Sequence, residues 1–384
     1  MGELPEKLRL RLDDRSEANA LRSLPKHENL VDFSSNDYLG ISGEGIIQTR
    51  AIEILKEQHV ERSGSTGSRL LTGNHGLFTA LETFLTKHHN AESALVFNSG
   101  YDANIGFFSS VPQRNDFVFY DELIHASIRD GIKMGLAKGY KFAHNNLLDL
   151  HRKIENTFRK NPDKGIEIYI VTESVFSMDG DTPDLTALAK FCADNGYHLV
   201  VDEAHATGVH GEGTDMVKQI GLEEAVFARI ITFGKALGCH GAAILGSQEL
   251  KTYLVNFARS LIYTTALSPH SVAVVLATYQ FLEDKGFEKR AALQENIRYF
   301  NKLTEELGIQ ELFMDGNAAI QCLVSSGNQQ VKVLSERLRK GGYNVKPILS
   351  PTVEKGKERL RFCLHAHNTK QEIDGVLNEV KKAL

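Results

Sequence analysis

The chain has 384 residues, 42% hydrophobic and 24% charged, with 44 lysines and arginines against 49 aspartates and glutamates for a net charge of −5. This is ordinary globular composition, and it excludes a disordered, a collagen-like or a disulfide-stapled chain. The charge balance supplies no pull towards nucleic acid or an anionic membrane, and at about 150 residues per domain the length predicts two to three domains, or one large domain with an appendage.

The first segment, MGELPEKLRLRLDDRSEANALRSL, is charged throughout and has no apolar stretch ending in a small-residue cleavage site. It does not read as a secretory signal. Leu4, Leu8 and Leu12, then Leu21 and Leu24, recur at helical spacing and predict a helix over 3–24 with one apolar stripe to lay on something else. FSSNDYLGIS (33–42) is dense in turn formers. Helix is predicted over 44–59 and 75–89, with the Gly-, Ser- and Thr-rich loop SGSTGSRLLTGN (63–74) between them.

From Ala91 the rhythm becomes regular. Short apolar runs appear at 94–97, 117–120, 166–171, 198–201, 229–233 and 242–245, most of them separated by ten to fifteen residues of helical pattern. Such runs, apolar on both faces, predict strands covered by helices on each side, an α/β fold with a mostly parallel sheet. Residues 269–308 are helix-rich. The remainder reads strand (318–324), helix (328–340), strand (344–348), strand (358–364), helix (369–383), a smaller α+β domain. The expected division is an arm at 1–42, a large α/β domain at 43–275 and the C-terminal domain at 276–384. No run approaches 18 apolar residues, and the four cysteines (Cys192, Cys239, Cys322, Cys363) contain no Cys-x-x-Cys pair. A cytoplasmic protein is expected.

Ligands of open parallel sheets bind outside the carboxyl ends of the strands. Five runs are followed there by polar residues: Asn98-Ser99-Gly100-Tyr101, Asp121 to His125, Thr172 to Gly180, Asp202-Glu203-Ala204-His205, and Gly234-Lys235. Asp202 to His205 spells a helicase motif, but the chain has no Gly-x-x-x-x-Gly-Lys-[Ser/Thr], and Gly-x-Gly-x-x-Gly is also absent. Neither Asp202, His205 and His210 nor His365 and His367 show metal-ligand spacing, so no metal is expected.

An Asp at a strand end, a His three residues on, and a Lys in a Gly-flanked loop after the next strand suit pyridoxal phosphate. The lysine forms an imine with the aldehyde, and the acid keeps the pyridine nitrogen protonated. Ser99-Gly100-Tyr101 opening a helix offers backbone N–H groups to the phosphate, and His125 is placed to cover the ring. Taken singly, these residues have plainer readings. His125 and His205 are also ordinary loop histidines, Ser177 and Thr232 also turn or cap residues, and Cys239 reads as small apolar filler. Arg359 lies on the same strand face as Arg361, so pattern alone does not choose between them.

Together, GSTGSRLLTGNH, FNSGYDAN, DELIHASI, TESVFSMDGD, VDEAHATGVHGEG and TFGKALG resemble, in this order and nearly end to end, the α-oxoamine synthases. The resemblance implies the fold of type I pyridoxal-phosphate-dependent transferases. It implies decarboxylative condensation of an amino acid with an acyl thioester. FSSNDYLG, LIYTTALSP (261–269), Pro351-Thr352-Val353 and Leu360-Arg361 look most like the members that join L-alanine to a pimeloyl group, on coenzyme A or an acyl carrier protein, in biotin synthesis. Glycine C-acetyltransferase, 5-aminolevulinate synthase and serine palmitoyltransferase share the core motifs and remain alternatives. So, outside the family, do an aminotransferase that releases no CO₂ and a cofactor-free binding protein.

By the same resemblance Lys235 carries the cofactor, Asp202 pairs with its ring nitrogen, His205 and Ser177 bond its ring oxygen, and His125 stacks on it. Gly100, Tyr101 and Thr232 hold the phosphate. Thr264 and Thr265 reach the phosphate of a neighbouring subunit, which implies a homodimer with shared sites. Asn36 and Arg361 take the amino-acid carboxylate, and Arg22 and Thr352 contact the acyl substrate.

Overall fold

A computed structural model describes residues 3–24, 26, 28–160 and 165–383. The chain divides into two units, one of Leu39–Ser177 and Thr182–Arg290, the other of Met1–Tyr38, Met178–Asp181 and Ala291–Leu384. The changeovers near Tyr38 and Arg290 compare with the boundaries at 42 and 275 read from the sequence. The N-terminal segment shares a unit with the C-terminal one.

The larger unit is built on a sheet of seven strands: β1 (Ser93–Phe97), β2 (Phe117–Asp121), β3 (Lys138–Phe142), β4 (Ile168–Glu173), β5 (His198–Asp202), β6 (Ala228–Thr232) and β7 (Ala242–Gly246). Their order is β1-β7-β6-β5-β4-β2-β3, and β7 alone runs antiparallel to its neighbours. Successive residues alternate between two buried faces. Val118, Val171, Val200 and Ile230 pack into one core, and Phe119, Ile170, Leu199 and Val201 into the other. That two-sided burial is why the strands read as continuous apolar runs.

All six predicted runs are strands. The sequence missed β3, KGYKF, whose residues are mostly exposed. It is an edge strand, and Lys138 and Lys141 mask its period while blunting the edge. The helices that position the site are α1 (Gly100–Ser110), α2 (Ala126–Met134) and α3 (Leu185–Asn195). Ser99 accepts from Asp102 N at the start of α1, and Asp184 accepts from Ala187 N at the start of α3. These caps fix where each strand-to-helix loop ends. A buried ionic cluster braces this unit. Asp215 takes His89 Nδ1 at 2.6 Å and Arg229 at 3.0 Å, and the Tyr279 hydroxyl meets His89 Nε2 at 3.1 Å.

The smaller unit holds an antiparallel sheet of β8 (Ile320–Val324), β9 (Lys346–Ile348) and β10 (Arg359–Cys363), with β10 in the middle. Two helices accompany it, α4 (Asn328–Lys340) and α5 (Lys370–Ala383), as the sequence rhythm predicts. The predicted N-terminal helix is shorter than expected, Glu6–Glu17, and ends before Asn19, which turns to φ 52°. Leu21 and Leu24 therefore lie outside it, and none of its residues is buried.

Candidate active site

Strands β1 to β6 all point one way, so their carboxyl ends meet along one edge. Asp202, Glu173 and Thr232 are the last residues of β5, β4 and β6, and all three are buried. His125 precedes α2 and Gly100 opens α1, each just beyond a strand end. Lys235 sits in a tight turn after β6, closed by Gly238 N to Lys235 O (2.8 Å) and Cys239 N to Phe233 O (2.7 Å). The five strand ends singled out from sequence thus lie along one edge of the larger unit's sheet.

Asp202 is held from two sides. Oδ1 accepts from Ala204 N at 3.0 Å, and Oδ2 from Asn104 Nδ2 at 2.9 Å. The Asn104 amide also donates to Ser127 Oγ at 3.0 Å, and Ser127 Oγ lies 2.7 Å from His125 Nδ1. The main-chain N–H of His125 donates to Glu173 Oε1 at 2.6 Å. Part of the His125 ring reaches solvent. Desolvation still holds its pKa below the ordinary value, Lys235 and Arg129 add to that, and Asp202 opposes it. Burial, with Asp202 beside it, pushes the Glu173 carboxyl up to about 8, while the Lys235 charge pulls it down. Asp202 and Lys235 therefore act on both His125 and Glu173, as expected for groups converging on one spot.

The start of α1 is a cradle. A Cβ on Gly100 would lie 2.8 Å from Thr232 Cγ2, so only glycine leaves room between the helix start and β6. Asn98 Nδ2 reaches Thr264 Oγ1 (3.1 Å) and Thr265 O (2.7 Å), which sets both threonines near the residues leading into α1 in the same chain. Ser177 and His205 are buried in this unit, and the Ser177 N–H supports Glu173.

In the smaller unit, Arg361 donates to Asn36 Oδ1 at 3.0 Å and approaches the Tyr38 hydroxyl at 3.5 Å. The two predicted carboxylate ligands are thus side by side. Arg359 is spoken for: it pairs with Asp179 and donates to Met178 O at 3.2 Å. The two arginines thus have different neighbours, which the sequence pattern does not show. Arg22 and Thr352, 330 residues apart, meet at 3.5 Å on the surface.

The profile of the family described as aminotransferase class I and II matches residues 28–380. The chain belongs to this family. Its curated relatives include the 8-amino-7-oxononanoate synthase of Emericella nidulans, 40% identical over 99% of this chain and 97% of that protein. That of Haemophilus ducreyi is 37% identical over 96% and 98%. Among solved structures, Sphingomonas wittichii serine palmitoyltransferase aligns with a TM-score of 0.88 at 25% identity, covering 100% of this chain and 98% of that one. The 8-amino-7-oxononanoate synthase of Francisella tularensis aligns at 0.75 and 28%, covering 93% and 98%. The chain is thus an α-oxoamine synthase, most like the 8-amino-7-oxononanoate synthases, with the type I fold of the pyridoxal-phosphate enzymes.

The larger unit has what this family's cofactor requires. It offers an amine, an acid braced by two donors, a glycine cradle at a helix start, and a buried acceptor, Asn104 Oδ1, without a protein partner among the described residues. Sequence reasoning gave no role to Asn104, Ser127 or Glu173. The one signal for Asn104 is its place on the buried face of α1, beside Ala103 and Phe107.

Proposed function

We propose that the chain is a pyridoxal-phosphate-dependent 8-amino-7-oxononanoate synthase, condensing L-alanine with a pimeloyl thioester to give 8-amino-7-oxononanoate, CO₂ and free thiol. The observation that carries this reading is 40% identity to a named synthase across nearly the whole of both chains, joined to the acid, amine and glycine cradle of the larger unit.

Bound there, pyridoxal phosphate supplies an aldehyde for the lysine and a ring that draws electrons from the substrate Cα. The residues of this chain do the rest. Lys235 Nζ holds the cofactor, takes the Cα proton of alanine and later returns one to the product; a lysine does this only as the free amine. Asp202 keeps a proton on the ring nitrogen. Gly100 and Tyr101 offer main-chain N–H groups to the phosphate, with the positive end of α1 behind them, and Thr232 closes the cradle. His125 covers the ring, and Ser177 and His205 bond its oxygen. Arg361 and Asn36 receive the alanine carboxylate and release it as CO₂. Arg22 and Thr352 contact the acyl chain.

We also propose a homodimer in the cytoplasm with shared sites, Thr264 and Thr265 serving the partner's phosphate. Exposed Leu70, Leu71 and Tyr263 support this, for they lie on adjoining segments, tied by Ala266 N to Gly67 O at 3.0 Å. No helix among the described residues is long and apolar enough to cross a membrane.

The test is product formation by the cofactor-loaded protein with a pimeloyl thioester, on coenzyme A and on acyl carrier protein, with alanine, glycine and serine in parallel. Alanine is expected to turn over fastest, releasing CO₂ in step with thiol. Faster turnover of glycine or serine, or thiol without CO₂, would overturn the assignment.

A further inference from the structure

We infer that Asn104 and Ser127 are positioning residues, forming a one-way hydrogen-bond chain from Asp202 to His125 that fixes His125 as its Nε2–H tautomer. The inference rests on the reading of Asp202 and His125 as residues facing the cofactor ring.

The direction follows from donor and acceptor counting. A carboxylate only accepts. Asp202 Oδ2 therefore takes a proton from its neighbour at 2.9 Å, which orients the Asn104 amide with Nδ2 inward. That nitrogen has one more proton, and Ser127 Oγ is 3.0 Å away to accept it. A hydroxyl oxygen can accept twice, so the direction of the next bond is set by the Ser127 main-chain N–H, which only donates and is aimed at His125 Nδ1 at 3.3 Å. With Nδ1 an acceptor, the Ser127 hydroxyl gives it its own proton at 2.7 Å. A ring nitrogen that accepts twice carries no proton, so the proton of the neutral ring sits on Nε2.

Two features show that this is more than packing. Asn104, Ser127 and Asp202 are 2%, 0% and 5% exposed, and in such surroundings each bond is strengthened and each broken one is costly. The Asn104 carbonyl oxygen is buried with no partner among the described residues, so the amide joins this network through its nitrogen alone. Glu173 completes the arrangement by holding the His125 main chain at 2.6 Å, so the ring and its backbone are fixed independently.

The chain sets the orientation of the His125 ring and ties it to Asp202. Breaking it should loosen the ring over the cofactor without touching substrate contacts. The experiment compares wild type, Ser127→Ala and Asn104→Ala as cofactor-loaded protein, using ¹⁵N NMR of labelled histidine with the His125 signals assigned by a His125→Gln variant. Wild type should show the Nε2–H pattern, and both variants a mixture of tautomers. Loss of one such bond should lower kcat about tenfold with KM for alanine nearly unchanged. Ser127→Ala deletes a single oxygen and keeps the test open should Asn104→Ala fold poorly. An Nδ1–H pattern in wild type, or an unchanged tautomer in Ser127→Ala, overturns the inference. If wild type forms no condensation product but the tautomer responds as described, the functional reading fails and the hydrogen-bond chain stands.

Discussion

Glu173 and Asp202 are register partners on neighbouring parallel strands, two buried carboxyl groups side by side at the working edge of the sheet. Their proximity, on top of burial, raises Glu173 to about 8 from an ordinary 4.5. The folded protein therefore holds a proton there that the unfolded chain has released. Stability from this group is complete below about pH 4.5 and is lost as the pH rises through 8. Glu173→Gln keeps the shape and removes the titration. Urea midpoints measured between about pH 5 and 8.5 should fall less steeply in the variant than in wild type. Parallel curves would contradict the raised pKa. Glu203, raised in the same direction, adds a slope of the same sign in both proteins.

Lys235→Ala should remove the visible absorbance of the cofactor-loaded protein and lower turnover more than about a thousandfold, since one substitution deletes both the anchoring amine and the base. Absorbance spectra and CO₂ release check this together. A variant that keeps its colour and its turnover would remove the central assignment.

Gly100→Ala tests the cradle. The new methyl would meet Thr232 Cγ2 at 2.8 Å, and overpacking of this kind costs about 1–3 kcal/mol. Relieving the clash displaces the helix start or Thr232, which should weaken cofactor binding roughly tenfold or more, read by titrating the protein with pyridoxal phosphate. The unfolding midpoint without cofactor should fall as well, because the clash lies within the protein itself. Wild-type affinity in the variant would mean that the phosphate does not use this helix start.

Asp215→Ala separates scaffold from chemistry. It strips the carboxylate from a buried cluster and leaves Arg229 charged without it. Breaking one side of such a pair costs about 3–5 kcal/mol. Denaturant unfolding should show that loss, while KM for alanine in the surviving folded enzyme stays near wild type. A stability change under about 1 kcal/mol would show that the surroundings reorganise around Arg229.

How much of this was legible in the sequence follows from burial. Strands buried on both faces, such as Ile168–Glu173, announce themselves as apolar runs, and the motifs at their ends follow directly. Lys138–Phe142 did not, because an edge strand faces water and its lysines break the period. The N-terminal helix was overextended because Leu21 and Leu24 continue the spacing, whereas the turn at Asn19 is a backbone event that no period records. Asn104 and Ser127 were invisible for a different reason. Their importance lies in meeting Asp202 and His125, and Asn104 is 98 residues from Asp202.

Arg359 and Arg361 are the clearest case of chemistry that pattern could not resolve. They share one face of β10 and both are buried. Arg359 is paired with Asp179, so its removal strands a buried carboxylate and should cost about 3–5 kcal/mol of stability. Arg361 instead lies against Asn36 and Tyr38, and its proposed work is on the substrate carboxylate. Charge-assisted bonds of that kind contribute about 1.5–3 kcal/mol, so Arg361→Ala should raise KM for alanine roughly tenfold to a hundredfold. Arg361→Lys should recover only part of the loss, because an ammonium cannot grip a carboxylate with two parallel bonds. Alanine titrations and urea unfolding of both alanine variants give opposite expectations. Arg359→Ala should lose stability with KM little changed, and Arg361→Ala should lose affinity for alanine. If Arg359→Ala instead raises KM and Arg361→Ala does not, the roles are reversed and the carboxylate is bound by the other arginine.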